Sequence, residues 1–315
     1  MPNARQGSIH LFRVAGIDLF LHWSWFLVAV IEIGYLRNRY TSLIWSALEY
    51  LALFVIVLLH EFGHAFACRQ VGGAADRIML WPLGGVAYVN PPQRPGAMLW
   101  SLAAGPLVNV ALLPPLIAGF LTVRMLGWAQ TMPNAYHWAG AVLFIDVALL
   151  AFNLLPIYPL DGGQILRSIL WIFLGRGRSL AAATAVGFVG AAGFVLLALW
   201  WRSIWLIVIA GYMLMNCWSG LKGARALMKM EKMPRREGFV CPGCGAKPLL
   251  GPRWKCSACG GVFDTFETRA TCPHCGVQHA NTMCGDCQTL YPMSAWAAGA
   301  NASAIPLPGS SPVAG

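Results

Sequence analysis

His60, Glu61 and His64 lie in "IVLLHEFGHAFAC", residues 56–68, whose other members are all apolar. On a helix turning about 100° per residue, His60 and His64 stand only about 40° apart, so both imidazoles face one point. Glu61 lies about 100° from His60 and about 60° from His64, and flanks that point without occupying it. Two neutral imidazoles holding a zinc, with a carboxylate beside the water it activates, is a hydrolytic arrangement. A hydrogen-bonded structural pair is the competing reading. It is weakened because ionisable groups within an apolar span are a burden without a role.

A zinc that keeps one position open takes three protein ligands. The third is expected at the depth of the two histidines. Glu49 is eleven residues earlier, about 16 Å up the same helix. Asp146 falls in the middle of a later apolar run, again at the wrong level. Asp161 follows the end of that run, in "NLLPIYPLDGG". There Pro156 and Pro159 end regular helix, and Gly162 and Gly163 permit unusual backbone angles. Broken helix at membrane depth is tolerated where protein buries it or it lines a wet cavity. Asp161 is therefore the expected third ligand.

The elements that must position these groups are membrane helices. Only 11% of the 315 residues are charged and 57% are hydrophobic, against about a quarter charged in a soluble domain. Six stretches reach the roughly 20 residues that a bilayer core of about 30 Å requires: 17–36, 43–68, 97–122, 138–156, 179–201 and 203–221. A shorter apolar stretch, 162–174, reads as a half-helix or an extension of a neighbour. The first stretch is too long for a signal peptide and lacks a small-residue cleavage site. With the N-terminus inside, Lys and Arg near the spans number fourteen on the inner side against four outside. The positive-inside rule then places both termini in the cytoplasm and accounts for much of the net charge of +10. Residues 77–89, "RIMLWPLGGVAYV", read as a β-hairpin with a Gly-Gly turn beside the inner face. Its edge could pair with an extended peptide.

The two motifs together, H-E-x-x-H in an early span and N-x-x-P-x-x-P-L-D-G-G in a later one, resemble the site-2 protease family of intramembrane zinc metalloproteases. The six-span layout looks most like its sporulation-processing branch, and the likeness covers about residues 8–225. It implies a mainly α, polytopic protein whose membrane domain occupies 1–228. In it His60, His64 and Asp161 bind one catalytic zinc, Glu61 activates water, and the substrate is a transmembrane protein unwound locally in the bilayer of a bacterial cell membrane. "GPLVN", Gly105 to Asn109, resembles the family's G-x-x-x-N motif, which implies that Asn109 touches substrate; a helix–helix hydrogen bond is the alternative. Regulatory CBS or PDZ domains common in the family are not recognisable here.

A cysteine-rich segment follows instead. Cys241/Cys244, Cys256/Cys259, Cys272/Cys275 and Cys284/Cys287 form four C-x-x-C knuckles in fewer than fifty residues, a strong structural-zinc signal. Disulfides are disfavoured in reducing cytosol. The segment 238–292 thus reads as a small zinc-ribbon domain with two structural zincs, ligated in sequence order as 241/244/256/259 and 272/275/284/287. Cross-brace pairing of first with third and second with fourth knuckle is the alternative. Four basic against three acidic residues there are too balanced for a phosphate-binding surface, so a protein partner is expected rather than nucleic acid. Residues 293–315, rich in Ala, Gly, Ser and Pro, read as a disordered end. A non-catalytic membrane scaffold presenting the ribbons is the rival to an enzyme; Glu61 is a residue such a scaffold would be free to lose.

Overall fold

The computed structural model describes residues 7–36, 39–81 and 84–296. Arg5, Arg37 and the chain beyond Trp296 lie outside them. The chain divides into two compact units, Met1–Met228 and Lys229–Gly315.

The first unit opens with strands β1 (Ser8–Val14) and β2 (Ile17–His22), then helices α1 (Ser24–Leu36) and α2 (Leu43–Gln70). Strands β3 (Ala74–Trp81) and β4 (Gly84–Asn90) follow. Helices α3 (Pro95–Met125), α4 (Trp128–Thr131), α5 (Pro133–Leu154), α6 (Asp161–Leu174), α7 (Arg176–Trp201) and α8 (Ile204–Glu231) complete it. Among the described residues five helices, α2, α3, α5, α7 and α8, are long and apolar enough to cross a membrane.

The expected first span, 17–36, is not one helix. Ile17–His22 alternates, with Ile17, Leu19 and Leu21 buried and Asp18, Phe20 and His22 less so, which is the period of a half-buried strand. The 13 residues of α1 extend only about 20 Å, short of the bilayer core. The strands form a sheet of order β1-β2-β3-β4, antiparallel except for the parallel β2–β3 pair. The expected hairpin at 77–89 is therefore half of a larger sheet. Its two glycines belong to β4, where Gly84 faces Trp81 and Gly85 faces Leu80, rather than to the turn. Ile17, Leu19, Ile78 and Leu80 pack on Val57, Ala65 and Cys68 of α2. The sheet thus buttresses the half of α2 that carries both histidines and leaves β4 at an edge.

The second unit has two small antiparallel ribbons, β5 (Trp254–Lys255) with β6 (Val262–Phe263) and β7 (Asn281–Met283) with β8 (Leu290–Pro292). Phe266 is the hub of its core, edge-on to Trp254 and Trp296. The ribbon domain begins before residue 238: Arg236 N–H donates to Pro248 O at 2.8 Å and Leu250 N–H to Pro234 O at 3.0 Å. It also ends later than expected. Met293–Trp296, read from sequence as part of the disordered end, is a 3-10 turn because Trp296 fills that core and is 0% exposed.

Candidate functional site

α2 starts at Ser42, whose hydroxyl accepts from the Ile44 amide, a standard N-cap. It crosses α3 where both helices carry glycine. A Cβ on Gly63 would lie 2.7 Å from Ala104 O, and one on Gly105 would lie 2.7 Å from His60 Nε2. The close approach sets each imidazole against α3. His64 Nδ1–H donates to the Ser101 carbonyl at 2.8 Å, and His60 Nδ1–H donates to Asn109 Oδ1 at 2.6 Å. With the protons on Nδ1, both Nε2 lone pairs point inward.

They converge with Asp161. His60 Nε2 is 3.1 Å from His64 Nε2 and 3.0 Å from Asp161 Oδ2, and His64 Nε2 is 3.3 Å from the same oxygen. Three lone pairs aimed at one point repel unless a cation sits between them. Bonds of about 2.0 Å in tetrahedral array put ligand atoms about 3.3 Å apart, so these residues fit a zinc ion. Glu61 lines the same cavity of about 640 Å³, as do Asn153, Gln164 and Val89 of β4.

Asp161 is the first residue of α6. Its two glycines serve a different purpose from the one expected. Neither has positive φ; instead a Cβ on Gly162 would strike the Leu154 and Leu155 carbonyls, and one on Gly163 the backbone of Ile157 and Tyr158. The loop lies directly over the helix start, and only glycine leaves it room. Cys217 donates its thiol to the Tyr158 carbonyl at 3.2 Å and ties that loop to α8.

Asn109 is not among the residues that line this cavity. It is 0% exposed, with its oxygen on His60 and its Nδ2 donating to Asp146 Oδ1 at 2.7 Å. These contacts fit the alternative, a hydrogen bond between helices, here one that supports His60, and Asp146, set aside on depth, is joined to the site through it. Asn153, unremarked in the sequence although it opens the second motif, lines the cavity. The other intramembrane acids lie elsewhere: Glu49 accepts from Tyr40 and Arg39. His22 stacks on Trp81 with centroids 4.0 Å apart.

The cysteines gather in two sets of four, but not in sequence order. Cys241 Sγ is 3.6 Å from Cys287 Sγ, and Cys244 Sγ is 3.7 Å from Cys284 Sγ. Cys256 pairs with Cys275 at 3.7 Å and Cys259 with Cys272 at 3.6 Å. The first knuckle therefore joins the fourth and the second joins the third, one set nested in the other; neither sequential nor cross-brace pairing forms. Each knuckle repeats one geometry. The residue after the second cysteine has positive φ, at Gly245, Gly260, Gly276 and Gln288, and its amide donates to the first cysteine's carbonyl. Local structure is thus the same four times; Phe266 and Trp296 pack with Cys241 and Cys284, and Phe263 packs with Cys256 and Cys272. Sulfur separations of 3.6–3.7 Å far exceed a disulfide bond of about 2.05 Å and suit tetrahedral zinc with bonds of about 2.3 Å. The Cys259 amide lowers the Cys256 thiol while crowding by its neighbours raises Cys275, the opposed shifts of thiols that share one site. Beside the outer set, hydrogen bonds to Asp286 hold the Arg235 guanidinium above its usual range.

The profile of peptidase family M50 matches residues 49–136 and 117–197. A zinc metalloprotease of Methanocaldococcus jannaschii is 34% identical over 180 residues, 57% of this chain and 50% of that protein. Stage IV sporulation protein FB of Bacillus subtilis is 30% identical over 158 residues, 48% of each. The chain thus spans about half the length of these two curated relatives. A solved structure, the site-2 protease from M. jannaschii, aligns at 30% identity and a TM-score of 0.49 over 68% of this chain and 95% of that one.

Proposed function

Because the chain belongs to peptidase family M50, we propose that it is an intramembrane zinc metalloendopeptidase, hydrolysing peptide bonds in or near transmembrane segments of membrane proteins. The observation that carries this is the meeting of His60 Nε2, His64 Nε2 and Asp161 Oδ2 at one point, on a cavity shared with Glu61, inside a polytopic membrane unit.

Zinc, when bound, polarises the scissile carbonyl and lowers the pKa of the attacking water. Glu61 takes the proton from that water and returns it to the leaving amine. Ser101 O and Asn109 Oδ1 keep both imidazoles in the ligating tautomer. A transmembrane helix hides its carbonyls in its own hydrogen bonds, so a substrate must be drawn out straight. β4 is an edge strand whose Val89 faces the cavity, and it suits pairing with such an extended segment. Asn153 supplies an amide for the substrate backbone.

Two further zincs, one in each set of four cysteines, hold the ribbon unit, which serves as a docking or regulatory module for a protein partner. The Lys and Arg distribution, with β2 paired to β3 beyond the end of α2, supports cytoplasmic termini, and a bacterial cell membrane is the expected setting. The test is Glu61→Gln. With zinc content unchanged, cleavage of a transmembrane substrate should fall by about 10²–10⁴-fold, and uncut substrate should accumulate in the membrane proteome. Turnover near that of the unmodified protein would sink this mechanism.

A further inference from the structure

Asp146 and Asn109 are both 0% exposed, and together they reach from α5 to a metal ligand. A primary amide has two unlike ends: its oxygen only accepts and its NH2 only donates. Asn109 turns its NH2 to Asp146 Oδ1 at 2.7 Å and its oxygen to His60 Nδ1 at 2.6 Å. Reversing that amide would set two oxygens face to face at Asp146 and present NH2 to His60. His60 would then have to accept at Nδ1 and carry its proton on Nε2, where the metal binds.

That second state has a real attraction. His60 Nε2 is 3.0 Å from Asp161 Oδ2, so a metal-free site gains a hydrogen bond to a carboxylate by moving the proton to Nε2. Two carboxylates therefore compete for the His60 proton from opposite sides, one directly and one through an amide. Asp146 Oδ1 accepts from Asn109 Nδ2 as the carboxylate, and equally as the acid with its proton on Oδ2. Asp146 Oδ2 itself has no hydrogen-bond partner among the described residues. A buried, half-satisfied carboxyl is a poor way to stabilise a helix pair, and a role toward Asn109 accounts for it.

We infer that Asp146 is a positioning residue of the metal centre, fixing the Asn109 amide so that His60 keeps its proton on Nδ1 and its Nε2 free for metal. This rests on the metallopeptidase reading, but its test does not use cleavage. The full chain is loaded with cadmium, and the metal is competed away with a chelator while cadmium NMR follows each site. An all-thiolate site and a nitrogen–oxygen site resonate far apart, so the ribbons do not interfere. In Asp146→Asn the two facing amides can reverse together without losing their mutual hydrogen bond. The nitrogen–oxygen site should then lose about 10–100-fold in affinity, the usual cost of a failed supporting contact, with the thiolate signals unchanged. In the exchanged double variant, Asn109→Asp with Asp146→Asn, residue 109 can only accept from His60, and most of that affinity should return. Asp146→Asn holding cadmium as tightly as the unmodified chain would overturn the inference. So would an exchanged variant no tighter than Asp146→Asn. If the unmodified chain shows thiolate signals alone, the metallopeptidase reading falls and this inference with it.

Discussion

Gly105→Ala places one methyl group where the metal belongs. Its Cβ would sit 2.7 Å from His60 Nε2 and nearer still to the His64 ring, against an ordinary contact of about 3.5 Å. Both rings would have to retreat by roughly 1 Å. Metal sites hold their ligand distances to about 0.2 Å, so the three donor atoms would no longer meet. Zinc affinity should fall by at least ~100-fold, and a displacement of ~1 Å alone costs about 10²-fold in rate. Folding should not suffer in proportion. Gly105 is interior to α3, and alanine there is favoured over glycine by about 1 kcal/mol of helix propensity, which offsets strain from the displaced rings. The expected result is a membrane unit that unfolds near its normal temperature, binds one zinc fewer per chain and does not cleave. Metal analysis of the purified full chain, thermal unfolding and a transmembrane-substrate assay read the three quantities separately. A variant with full zinc content and normal cleavage would refute the placement of Gly105 over the imidazoles. A large drop in unfolding temperature would show that the crossing of α2 and α3, rather than the metal, depends on this glycine.

Asp161→Ala should likewise remove one zinc per chain and abolish cleavage, with ribbon zincs retained; full metal content would show that a different residue completes the site. Replacing Cys241 and Cys244 by serine should leave Cys284 and Cys287 open to alkylation while Cys256, Cys259, Cys272 and Cys275 stay protected, as mass spectrometry of the labelled chain can show. Labelling of Cys256 and Cys259 instead would restore the sequential pairing.

What could be read from the sequence was whatever is local. His60 and His64 advertise themselves by helical spacing in an apolar run. Asp161 is marked by the prolines that break the chain just before it. What could not be read depended on contacts between distant segments. The alternation of Ile17–His22 is hidden because every residue from 17 to 36 but a few is apolar, and only pairing with β3 makes it a strand. Asn109 stands in a motif that implies a substrate contact; that it meets His60 is fixed by where α3 crosses α2. Four knuckles of one spacing do not name their partners, and Phe266, Trp254 and Trp296, which pack beside them, lie outside the motifs. Gly162 and Gly163 were noticed for the wrong property, since crowding by a neighbouring loop cannot be seen in the residues themselves.

The nesting of the cysteine sets gives the ribbon a direction of assembly. A nascent chain emerges N-terminus first, so Cys241 and Cys244 appear early and find no partners. The inner four, Cys256 to Cys275, are complete within a stretch of about 20 residues, and they can take metal while Cys284 and Cys287 are still inside the ribosome. Closing that inner loop shortens the free chain between the outer knuckles, and the entropy of bringing two ends together falls with the length between them. A metal held by the inner four would thus prepare the place of a second, and Cys284 and Cys287 would finish the unit.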